Sequence, residues 1–412
     1  MFGKVFDRHL QPVLEEALAD TPAVMVVGAR QTGKTTLART LAAGGWNAAY
    51  VTLDDLTALE AASADPAGFV AGLTGSSVID EIQKAPALLP AIKAAIDQAR
   101  RPGRFLLTGS ADVLVLPRVS ESLAGRMEVV TLWPLSQGEL ARHREQFVDR
   151  MFEGDPPSAA ARSGEDIVLR LVRGGYPDAV ARPRASRRRA FFEAYVTTIL
   201  ARDVRDIAAV EHPGMLRRLL QLAAVRSASL LNHSELARTL AIPVSTLKRY
   251  LALLSTLFLL HEVPAWTSNR GKRLARAPKL HLADTGLLTA LAGLDEDAFR
   301  RDRTLLGPVL ESFVAAELKK QVGWSEVRPV LHHFRTHGGR EVDLVLEDAR
   351  GRVVGIEVKA SGTVTAADLA GLRALAETSA RAWVQGIVLY LGKSVVPFGA
   401  GLTACPIEVL WD

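Results

Sequence analysis

The chain has 412 residues, of which 48% are apolar and 23% are charged, and this is the composition of a soluble globular protein with about two to four domains. The longest apolar run, residues 251–260, is far shorter than the ~20 residues that cross a bilayer, and the first residues lack the pattern of an export signal, so we expect a cytoplasmic protein with no membrane partner. Cys405 is the only cysteine, which excludes an internal disulfide and a zinc site built from several cysteines.

The first predicted elements are a helix, a strand and a glycine-rich loop. Residues 7–19 carry apolar side chains at helical spacing, and residues 24–27 form an apolar run of strand character. Glycines at both ends of the next segment allow N–H groups to point at a phosphate, helped by the positive end of the following helix. We therefore predict an ATP-binding loop made of Gly28, Ala29, Arg30, Gln31, Thr32, Gly33, Lys34, Thr35 and Thr36.

Two residues of this loop have chemical roles in the prediction. The Lys34 ammonium would reach the β and γ phosphates, and the Thr35 hydroxyl would take a Mg²⁺ position. A glycine turn in front of an ordinary helix is the alternative.

A carboxylate pair follows a later predicted strand. Residues 48–53 and 77–81 have strand character, and the second of these runs ends in Asp80 and Glu81. Asp80 is predicted to hold Mg²⁺ through water, and Glu81 to polarise the attacking water as a general base. A pair of surface carboxylates would give the same pattern.

The last two predicted strands of this region supply further candidates. Thr108 ends a predicted strand over residues 104–108 and Ser110 follows it, at an edge where a hydroxyl would lie near the γ-phosphate in a parallel sheet. Arg126 precedes a strand over residues 127–132 and is predicted to neutralise transition-state charge, across a subunit boundary. An ordinary surface arginine is the alternative, because spacing alone does not aim a side chain.

These motifs together resemble one family, the prokaryotic AAA-type (AAA+) P-loop ATPases that carry a C-terminal restriction-endonuclease-like domain of unassigned role. The similarity rests on residues 28–35, Val78-Ile79-Asp80-Glu81-Ile82-Gln83, Leu107-Thr108-Gly109-Ser110 and Leu123-Ala124-Gly125-Arg126, and Gly174-Gly175-Tyr176-Pro177 also resembles a family signature. It covers nearly the whole chain. It implies a five-stranded core, a helical lid and a ring or other homo-oligomer.

The segment after the predicted core is helical and basic. Residues 153–165 are rich in Pro, Ser, Ala and Gly and are predicted to be a linker, and helices over 167–172 and 190–210 would form the lid. Five arginines between residues 182 and 189 would contact phosphate or form a solvated helix start.

A helix-turn-helix pattern follows the lid. Helix-like runs over 216–230, 234–240 and 245–260 are separated by short turns, and residues 259–265 and 279–283 would form the strands of a wing with its tip at 269–273. Residues 214–282 hold eleven Lys or Arg against two Glu, which gives +9 there and −4 elsewhere in a chain of net charge +5. Duplex DNA is the leading partner, and the residues predicted to bind it are Lys248, Arg249, Arg270, Lys272 and Arg273. A winged helix used only for packing or protein contacts is the alternative.

The C-terminal part carries a pattern typical of metal-dependent nucleases. Asp343 lies on one predicted strand, and Glu357 and Lys359 lie two residues apart on the next, hence on one face. Asp343 and Glu357 are predicted to hold Mg²⁺, with Glu357 and Lys359 catalytic and Glu311 a supporting carboxylate. A polar strand face with an ion pair would look the same. His332, His333 and His337 form a small cluster, in which neighbours on a strand are not expected to share a metal.

The fold class predicted from these patterns is α/β. We expect an AAA-type ATPase core in residues 1–150, a lid in 165–212, a winged helix in 213–285 and a restriction-endonuclease-like domain in 300–412. The predicted function is Mg²⁺-dependent ATP hydrolysis by a homo-oligomer, coupled to DNA binding or remodelling, with a nuclease-like C-terminal domain. The alternative is a nucleotide-gated regulator or scaffold whose C-terminal domain binds partners without cleavage.

Overall fold

A computed structural model describes residues 5–110, 125–154, 166–204, 213–399 and 401–411. The chain divides into two compact units: residues 1–135 together with 256–258, and residues 136–255 together with 259–412. In the described ranges, no helix is both long enough and apolar enough to span a membrane.

The first unit contains a parallel sheet of five strands in the order β2-β3-β4-β1-β5. Every residue of β1, β3 and β4 is buried, as expected for strands of a parallel sheet with helices on both faces. The carboxyl ends of these strands share one edge of the sheet. The strands are β1 Ala23–Val27, β2 Ala49–Thr52, β3 Ser77–Asp80, β4 Phe105–Gly109 and β5 Met127–Thr131.

Five helices belong to the described part of this unit, and the apolar faces of the first two pack against the sheet in its core. Leu14 of the first helix and Leu37 and Leu41 of the second pack with Val24 and Val26 of β1. The helices are α1 Gln11–Asp20, α2 Lys34–Ala43, α3 Leu56–Ala64, α4 Pro66–Gly72 and α5 Leu88–Gln98.

The second unit begins with helices. They are α6 Gln137–Ala141, α7 Phe147–Glu153, α8 Ile167–Arg173, α9 Pro177–Val180 and α10 Ala185–Thr198. The predicted helix over 190–210 therefore begins earlier, at Ala185, because alanine and arginine are strong helix formers, and it passes into a π-helical turn at Ile199–Asp203. Residues 205–212 of that predicted helix and residues 155–165 of the predicted linker lie outside the described residues.

The basic segment, as far as the structure describes it, forms three longer helices, one short helix and a small antiparallel sheet of three strands in the order β6-β8-β7. The predicted strands over 259–265 and 279–283 are present as an antiparallel pair. The predicted tip differs, because Asn269 accepts a hydrogen bond from the Gly271 N–H and starts a short helix. The elements are α11 Pro213–Val225, β6 Ser229–Leu230, α12 His233–Leu240, α13 Val244–Thr256, β7 Leu260–Val263, α14 Arg270–Arg273 and β8 Lys279–Leu282.

The C-terminal part is a mixed sheet of six strands in the order β13-β14-β12-β11-β10-β9. Strands β9, β10 and β11 pair antiparallel, whereas β11, β12 and β14 pair parallel. The elements of this part are α15 Thr285–Ala292, α16 Glu296–Arg301, α17 Leu306–Val322, β9 Val330–Arg335, β10 Glu341–Glu347, β11 Val353–Lys359, α18 Ala370–Ser379, β12 Trp383–Tyr390, β13 Val396–Pro397 and β14 Leu402–Pro406.

Candidate functional site

The glycine-rich loop connects β1 to α2 in backbone conformations that its glycines permit. Gly28 has a φ of 150° and Gly33 a φ of 98°, where residues with side chains are rare. A Cβ on Gly28 would lie 2.3 Å from the carbonyl oxygen of Leu132. Gly33 directly precedes α2, so the loop lies at the helix N-terminus, where the N–H groups of the first turn attract anions.

The Lys34 side chain points back into this loop. Its Nζ donates hydrogen bonds to the carbonyl oxygens of Gly28 at 2.8 Å and Ala29 at 2.7 Å. Thr32 is buried, and its hydroxyl also donates to the Ala29 carbonyl. The ammonium therefore lies inside the loop, beside the atoms that would surround a phosphate. Of the other predicted loop residues, Gln31 and Thr36 are exposed and Arg30 is half-buried.

Asp80 ends β3, and hydroxyl groups surround its buried carboxylate. Thr35 Oγ1 lies 3.2 and 3.1 Å from the two carboxylate oxygens, the Tyr50 hydroxyl donates at 2.6 Å, and the Thr108 hydroxyl donates as well. Burial and the bond to Asp80 raise the pKa of Tyr50 to about 12, so this hydroxyl stays protonated. Hydroxyl and carboxylate oxygens are the ligands that Mg²⁺ prefers. Thr35 and Asp80 therefore fit a Mg²⁺ ion at this edge of the sheet.

Glu81 is held at the same edge by its backbone and by its side chain. It has a φ of 62°, and its N–H donates to the Thr108 hydroxyl at 3.1 Å. The Gln83 amide donates both to the Glu81 carboxylate and, at 2.9 Å, to the Ser110 hydroxyl. The structure thus brings together Lys34, Thr35, Asp80, Glu81 and Ser110, as the sequence predicts.

Arg126 lies away from these residues. Its Nε is 2.5 Å from Asp97 Oδ1 and its Nη2 is 3.2 Å from Asp97 Oδ2, and this pairing lowers the pKa of Asp97. Met127 pairs with Ala23 at the amino end of β1, whereas the phosphate loop follows the carboxyl end. The amino and carboxyl ends of β1 are separated by five residues of strand, which is about 16 Å. Arg126 is therefore at the opposite edge of the sheet from its own phosphate loop.

Three residues at this site were missed at the sequence level. Tyr50 lies two positions before Thr52, and this spacing places the two side chains on the same face of the strand. Gln83 is the last residue of the motif at Asp80, and no role was assigned to it. Arg8 carries no signal in the sequence. Its Nη1 donates to the Thr32 carbonyl at 2.6 Å and its Nη2 to the Trp133 carbonyl at 2.7 Å, which ties the loop to the segment after β5.

A second cluster of charged residues lies in the other unit, where the Lys279 ammonium contacts three carboxylates. Lys279 Nζ is 2.7 Å from Glu311 Oε1, 2.6 Å from Glu341 Oε1 and 3.3 Å from Asp343 Oδ1. The lysine side chain is 2% exposed. Burial alone would lower the pKa of Lys279, but the carboxylates outweigh burial and raise it above its ordinary value. Lys279 is therefore charged.

Glu357 and Lys359 lie beside this cluster on β11. Lys359 Nζ is 2.9 Å from Glu357 Oε1, and the Val358 N–H donates to Asp343 Oδ2 at 3.0 Å. Burial and the nearby Asp343 carboxylate raise the pKa of Glu357 to about 8. The structure thus places Asp343, Glu357, Lys359 and Glu311 in one region.

The acidic cluster does not fit a metal ion in the form it has here. Among the residues the structure describes, no group of three or more His, Cys, Asp or Glu side chains is placed to hold one. The carboxylates at Lys279 stand 2.6–3.3 Å from an ammonium nitrogen, whereas Mg²⁺ needs oxygen atoms at about 2.1 Å. No step through a metal is therefore derived for Asp343 and Glu357.

Three family models match consecutive parts of the chain. Residues 20–141 match an AAA domain, residues 164–298 a domain of unknown function (DUF8612) and residues 306–410 another domain of unknown function (DUF4143). The AAA match contains every residue of the site built around Lys34 and Asp80 except Arg8.

Two mycobacterial relatives are similar over most of the chain. They are the uncharacterized proteins Mb2031c of Mycobacterium bovis and Rv2008c of Mycobacterium tuberculosis, each 33% identical over 353 residues, which is 85% of this chain and 73% of the relative. The chain belongs to the family of these two proteins. Its N-terminal part is an AAA-type P-loop domain.

Three solved structures show weaker similarity to this chain. The Walker-type ATPase PABY2304 of Pyrococcus abyssi is 18% identical, with a TM-score of 0.41, and the match covers 70% of this chain and 96% of that one. A single-substitution variant of RuvB of Thermotoga maritima is 18% identical, with a TM-score of 0.28 and coverage of 65% and 94%. AMPPCP-bound DnaA from Aquifex aeolicus is 12% identical, with a TM-score of 0.24 and coverage of 60% and 85%.

The residues predicted to bind DNA lie in different environments in this structure. Lys248 and Arg249 are exposed on α13. Arg273 is turned inward, where its Nη2 lies 3.0 Å from Glu347 Oε1 and its Nη1 contacts the other carboxylate oxygen. This ion pair removes Arg273 from the basic surface. The side chains of Arg270 and Lys272 lie outside the described part of the structure.

The predicted histidine cluster is also divided. His337 is exposed in the turn after β9, whereas His332 and His333 are buried on that strand. His332 Nε2 lies 3.7 Å from a Glu347 carboxylate oxygen, and His333 Nε2 lies 3.1 Å from the Ala277 carbonyl. Burial lowers the pKa of both imidazoles to about 4, so both are neutral at pH 7.

Proposed function

We propose that this protein binds Mg²⁺·ATP and hydrolyses it, and that its basic module couples the hydrolysis to DNA. The observation that carries the first half is the placement of Lys34 inside the glycine-rich loop, with the Thr35 hydroxyl 3.1 Å from the Asp80 carboxylate. The Lys34 ammonium is available for the phosphates, and the adjacent oxygens of Thr35 and Asp80 are available for the metal, as a triphosphate with its metal requires.

In this proposal each residue of the site has one task. Lys34 exchanges its carbonyl acceptors for β and γ phosphate oxygens, and the N–H groups of the first turn of α2 hold the phosphates. Thr35 and Asp80 hold Mg²⁺, which would neutralise charge on the phosphates. Glu81 accepts a proton from the attacking water, with Gln83 fixing the position of its carboxylate and Ser110 contacting the γ-phosphate.

Arg126 requires a second copy of the chain to take part. About 16 Å separate it from its own loop, and it pairs with Asp97, so we propose that it serves the site of a neighbouring subunit in a homo-oligomer. Arg126→Ala should then abolish hydrolysis without weakening ATP binding. Mixing Arg126→Ala with Lys34→Ala subunits should restore activity. Some mixed interfaces then combine an intact phosphate loop from one subunit with an intact Arg126 from the other.

The ATPase proposal is tested with Lys34→Ala. Hydrolysis of ATP should fall about 100-fold or more, because an electrostatic contact to the reacting phosphate is lost. Lys93→Ala on α5 removes an equal charge from the same unit and should leave the rate unchanged. A parent protein that releases no heat with ATP or ADP plus Mg²⁺ would refute the proposal.

The DNA half of the proposal rests on α13 and its charges. Lys248 and Arg249 are exposed on a helix that follows α12 after a short turn, and a pair of antiparallel strands comes next. This order of elements is typical of a winged helix-turn-helix, in which the second helix enters the major groove. Two adjacent cations on such a helix suit phosphates of duplex DNA.

The test of this half is salt-dependent binding to a duplex. Lys248→Ala with Arg249→Ala should weaken binding and reduce the slope of log K against log salt by about 2. Arg350→Ala with Arg381→Ala removes the same charge from other exposed positions and should preserve the slope. Equal losses in the two double variants would mean that only the net charge matters.

A second candidate is a nucleotide-gated regulator whose C-terminal part binds partners without cleavage. The observation that favours it is Lys279, because its ammonium already fills the acidic cluster of the nuclease-like pattern. Incubation with plasmid, Mg²⁺ or Mn²⁺ and ATP, with Glu357→Gln and Lys359→Ala as controls, tests the absence of cleavage on which this candidate depends. Cleavage by the parent that both variants lose would establish a nuclease and exclude the non-cleaving regulator.

A further inference from the structure

The segment that follows β5 lies against the beginning of the phosphate loop. The Leu132 N–H donates to the Val27 carbonyl at 2.8 Å, so this segment continues the pairing with β1. A Cβ on Gly28 would lie 2.3 Å from the Leu132 carbonyl oxygen, which leaves space for a glycine and for nothing larger. Because packed interiors transmit displacement, a movement of Gly28 toward this peptide has to move Leu132 as well.

Arg8 joins the end of the same loop to the next residue of that segment. Its Nη1 donates to the Thr32 carbonyl at 2.6 Å and its Nη2 to the Trp133 carbonyl at 2.7 Å. A guanidinium is planar and presents its donors in a rigid fork, so it holds the two carbonyl oxygens at a fixed separation. Residues 132–133 therefore contact the loop at Gly28 directly and at Thr32 through Arg8.

The ring of Trp133 packs against Phe258. The ring centroids are 5.8 Å apart and the planes meet at 81°, which is an edge-to-face arrangement that aromatic pairs prefer. Phe258 is buried, and its φ of 56° is rare for a residue with a large side chain. Such a backbone conformation persists where the surrounding structure holds it. The contact with Trp133 is therefore part of what fixes the chain at Phe258.

Phe258 is connected to the basic segment on both sides by the peptide chain. Residues 256–258 belong to the first unit, whereas the residues before and after them belong to the second. Helix α13, which carries the cations proposed to bind DNA, ends at Thr256. The Leu259 N–H donates to the Leu254 carbonyl at 3.0 Å, so the chain after Phe258 is bonded back to that helix. A displacement of Phe258 thus acts on the end of α13.

A bound triphosphate would change the loop at the point where Leu132 touches it. The Lys34 ammonium here donates to the carbonyl oxygens of Gly28 and Ala29, and phosphate oxygens would take its place as acceptors. The two carbonyls would then lose a charged donor beside the Leu132 peptide. Coupling between two sites requires an element with two arrangements that both sites influence, and the start of the loop meets this condition.

We propose that Arg8, Trp133 and Phe258 position the phosphate loop according to the state of the basic segment, so that ATP and duplex DNA change each other's affinity through these residues. This inference rests on the proposed function, because both ligands have to bind. None of the three is assigned a phosphate or the metal ion, and each acts on the loop through another group. By linkage, the factor by which ATP changes DNA affinity equals the factor by which DNA changes ATP affinity.

The test is calorimetry on the full chain with both ligands. The dissociation constant of AMPPCP with Mg²⁺ is measured with and without a saturating duplex, and that of the duplex with and without AMPPCP, whose β–γ bridge is not hydrolysed. In the parent, each ligand should change the affinity for the other by the same factor of about 5 or more. Phe258→Leu should still bind each ligand alone, with a coupling factor of about 1.

Phe313→Leu is the matched control. Phe313 and Trp411 form an edge-to-face pair of nearly the same geometry, at 5.9 Å and 83°, inside the second unit. This variant should lose a similar amount of thermal stability and keep the coupling factor of the parent. Trp133→Phe retains an aromatic ring against Phe258 and should keep the coupling, whereas Trp133→Leu should lose it.

Arg8→Lys extends the test to a half-buried residue that no core packing depends on. It keeps the charge and removes the fork between two carbonyls, so the coupling factor should again fall to about 1. A parent that binds neither AMPPCP nor the duplex refutes the proposed function and this inference with it. A parent that binds both ligands, each with the same affinity whether or not the other is present, overturns this inference alone. Full coupling in a folded Phe258→Leu or in Arg8→Lys does so too.

Discussion

Removal of the Thr108 hydroxyl tests whether the hydroxyl shell of Asp80 controls catalysis. Thr108→Val deletes a donor to the buried Asp80 carboxylate and the acceptor of the Glu81 N–H. A hydrogen bond to a charged group contributes about 1.5–3 kcal/mol, and loss of a group that orients a metal ligand reduces metal affinity or activity about 10–100-fold. We expect a loss of that size in the Mg²⁺-dependent rate of ATP hydrolysis.

Thr52→Val is the matched control for this variant. Its hydroxyl faces the same carboxylate from the neighbouring strand but lies 3.5 Å from Asp80 Oδ2, at the limit of a hydrogen bond. The rate of hydrolysis should be measured against Mg²⁺ concentration for both variants, with thermal unfolding to show that each is folded. The expected loss in Thr52→Val is less than about threefold, since its bond to Asp80 is weak and the Asp54 N–H that also loses this acceptor is exposed to water. Equal losses in the two variants, or none in Thr108→Val, would refute the assigned role of the shell.

The remaining predictions concern the loop, a buried histidine and a buried ion pair. Gly28→Ala should abolish ATP binding in calorimetry, because its Cβ would lie 2.3 Å from a backbone carbonyl oxygen, whereas Gly45→Ala meets no atom within 4 Å and should bind normally. Burial lowers the pKa of His261 from 6.5 to about 3. The contribution of the neutral imidazole to the free energy of unfolding is therefore complete above pH 6.5 and is lost as the pH falls toward 3. When the pH is lowered from 7 to 5, the free energy of unfolding of His261→Phe should therefore fall by about 2 kcal/mol less than that of the parent in denaturant titrations. Equal decreases would contradict this assignment. Arg273→Met should destabilise the fold by about 3 kcal/mol because it removes the guanidinium that is paired with the buried Glu347 carboxylate. An unfolding midpoint within error of the parent's would show that the pair is not needed.

The parallel core was predictable because its signals are local and repeated. A buried strand, a glycine-rich loop and a helix follow one another within residues 23–43, and Asp80 ends a strand that belongs to the same sheet. Parallel strands place their carboxyl ends at one edge, so the meeting of Thr35 with Asp80 follows from topology. The residues of the nuclease-like pattern were brought together for a similar reason, because adjacent strands carry them.

The missed contacts depend on geometry that spacing does not contain. Arg8 reaches the loop from a segment before α1, and its targets are backbone carbonyls, which every sequence possesses. Arg273 was assigned to DNA because it lies in a run of basic residues, but its partner Glu347 is 74 positions away. Lys279 is one of the eleven cations counted in that basic segment, and its partners Glu311 and Asp343 are 32 and 64 positions away. Long-range ion pairs of this kind are determined by tertiary packing, which a single sequence does not reveal.

The position of Lys279 bears on how this protein can be divided for study. A fragment that starts at residue 300 would contain the whole six-stranded sheet and the carboxylates of Glu311, Glu341 and Asp343, but it would lack the buried lysine that they share, which comes from β8. Those acids would then repel one another without the cation that opposes them. Expression of the tail by itself would yield an unstable product, and the smallest unit fit for crystallisation or binding work has to include the strand that begins at Lys279.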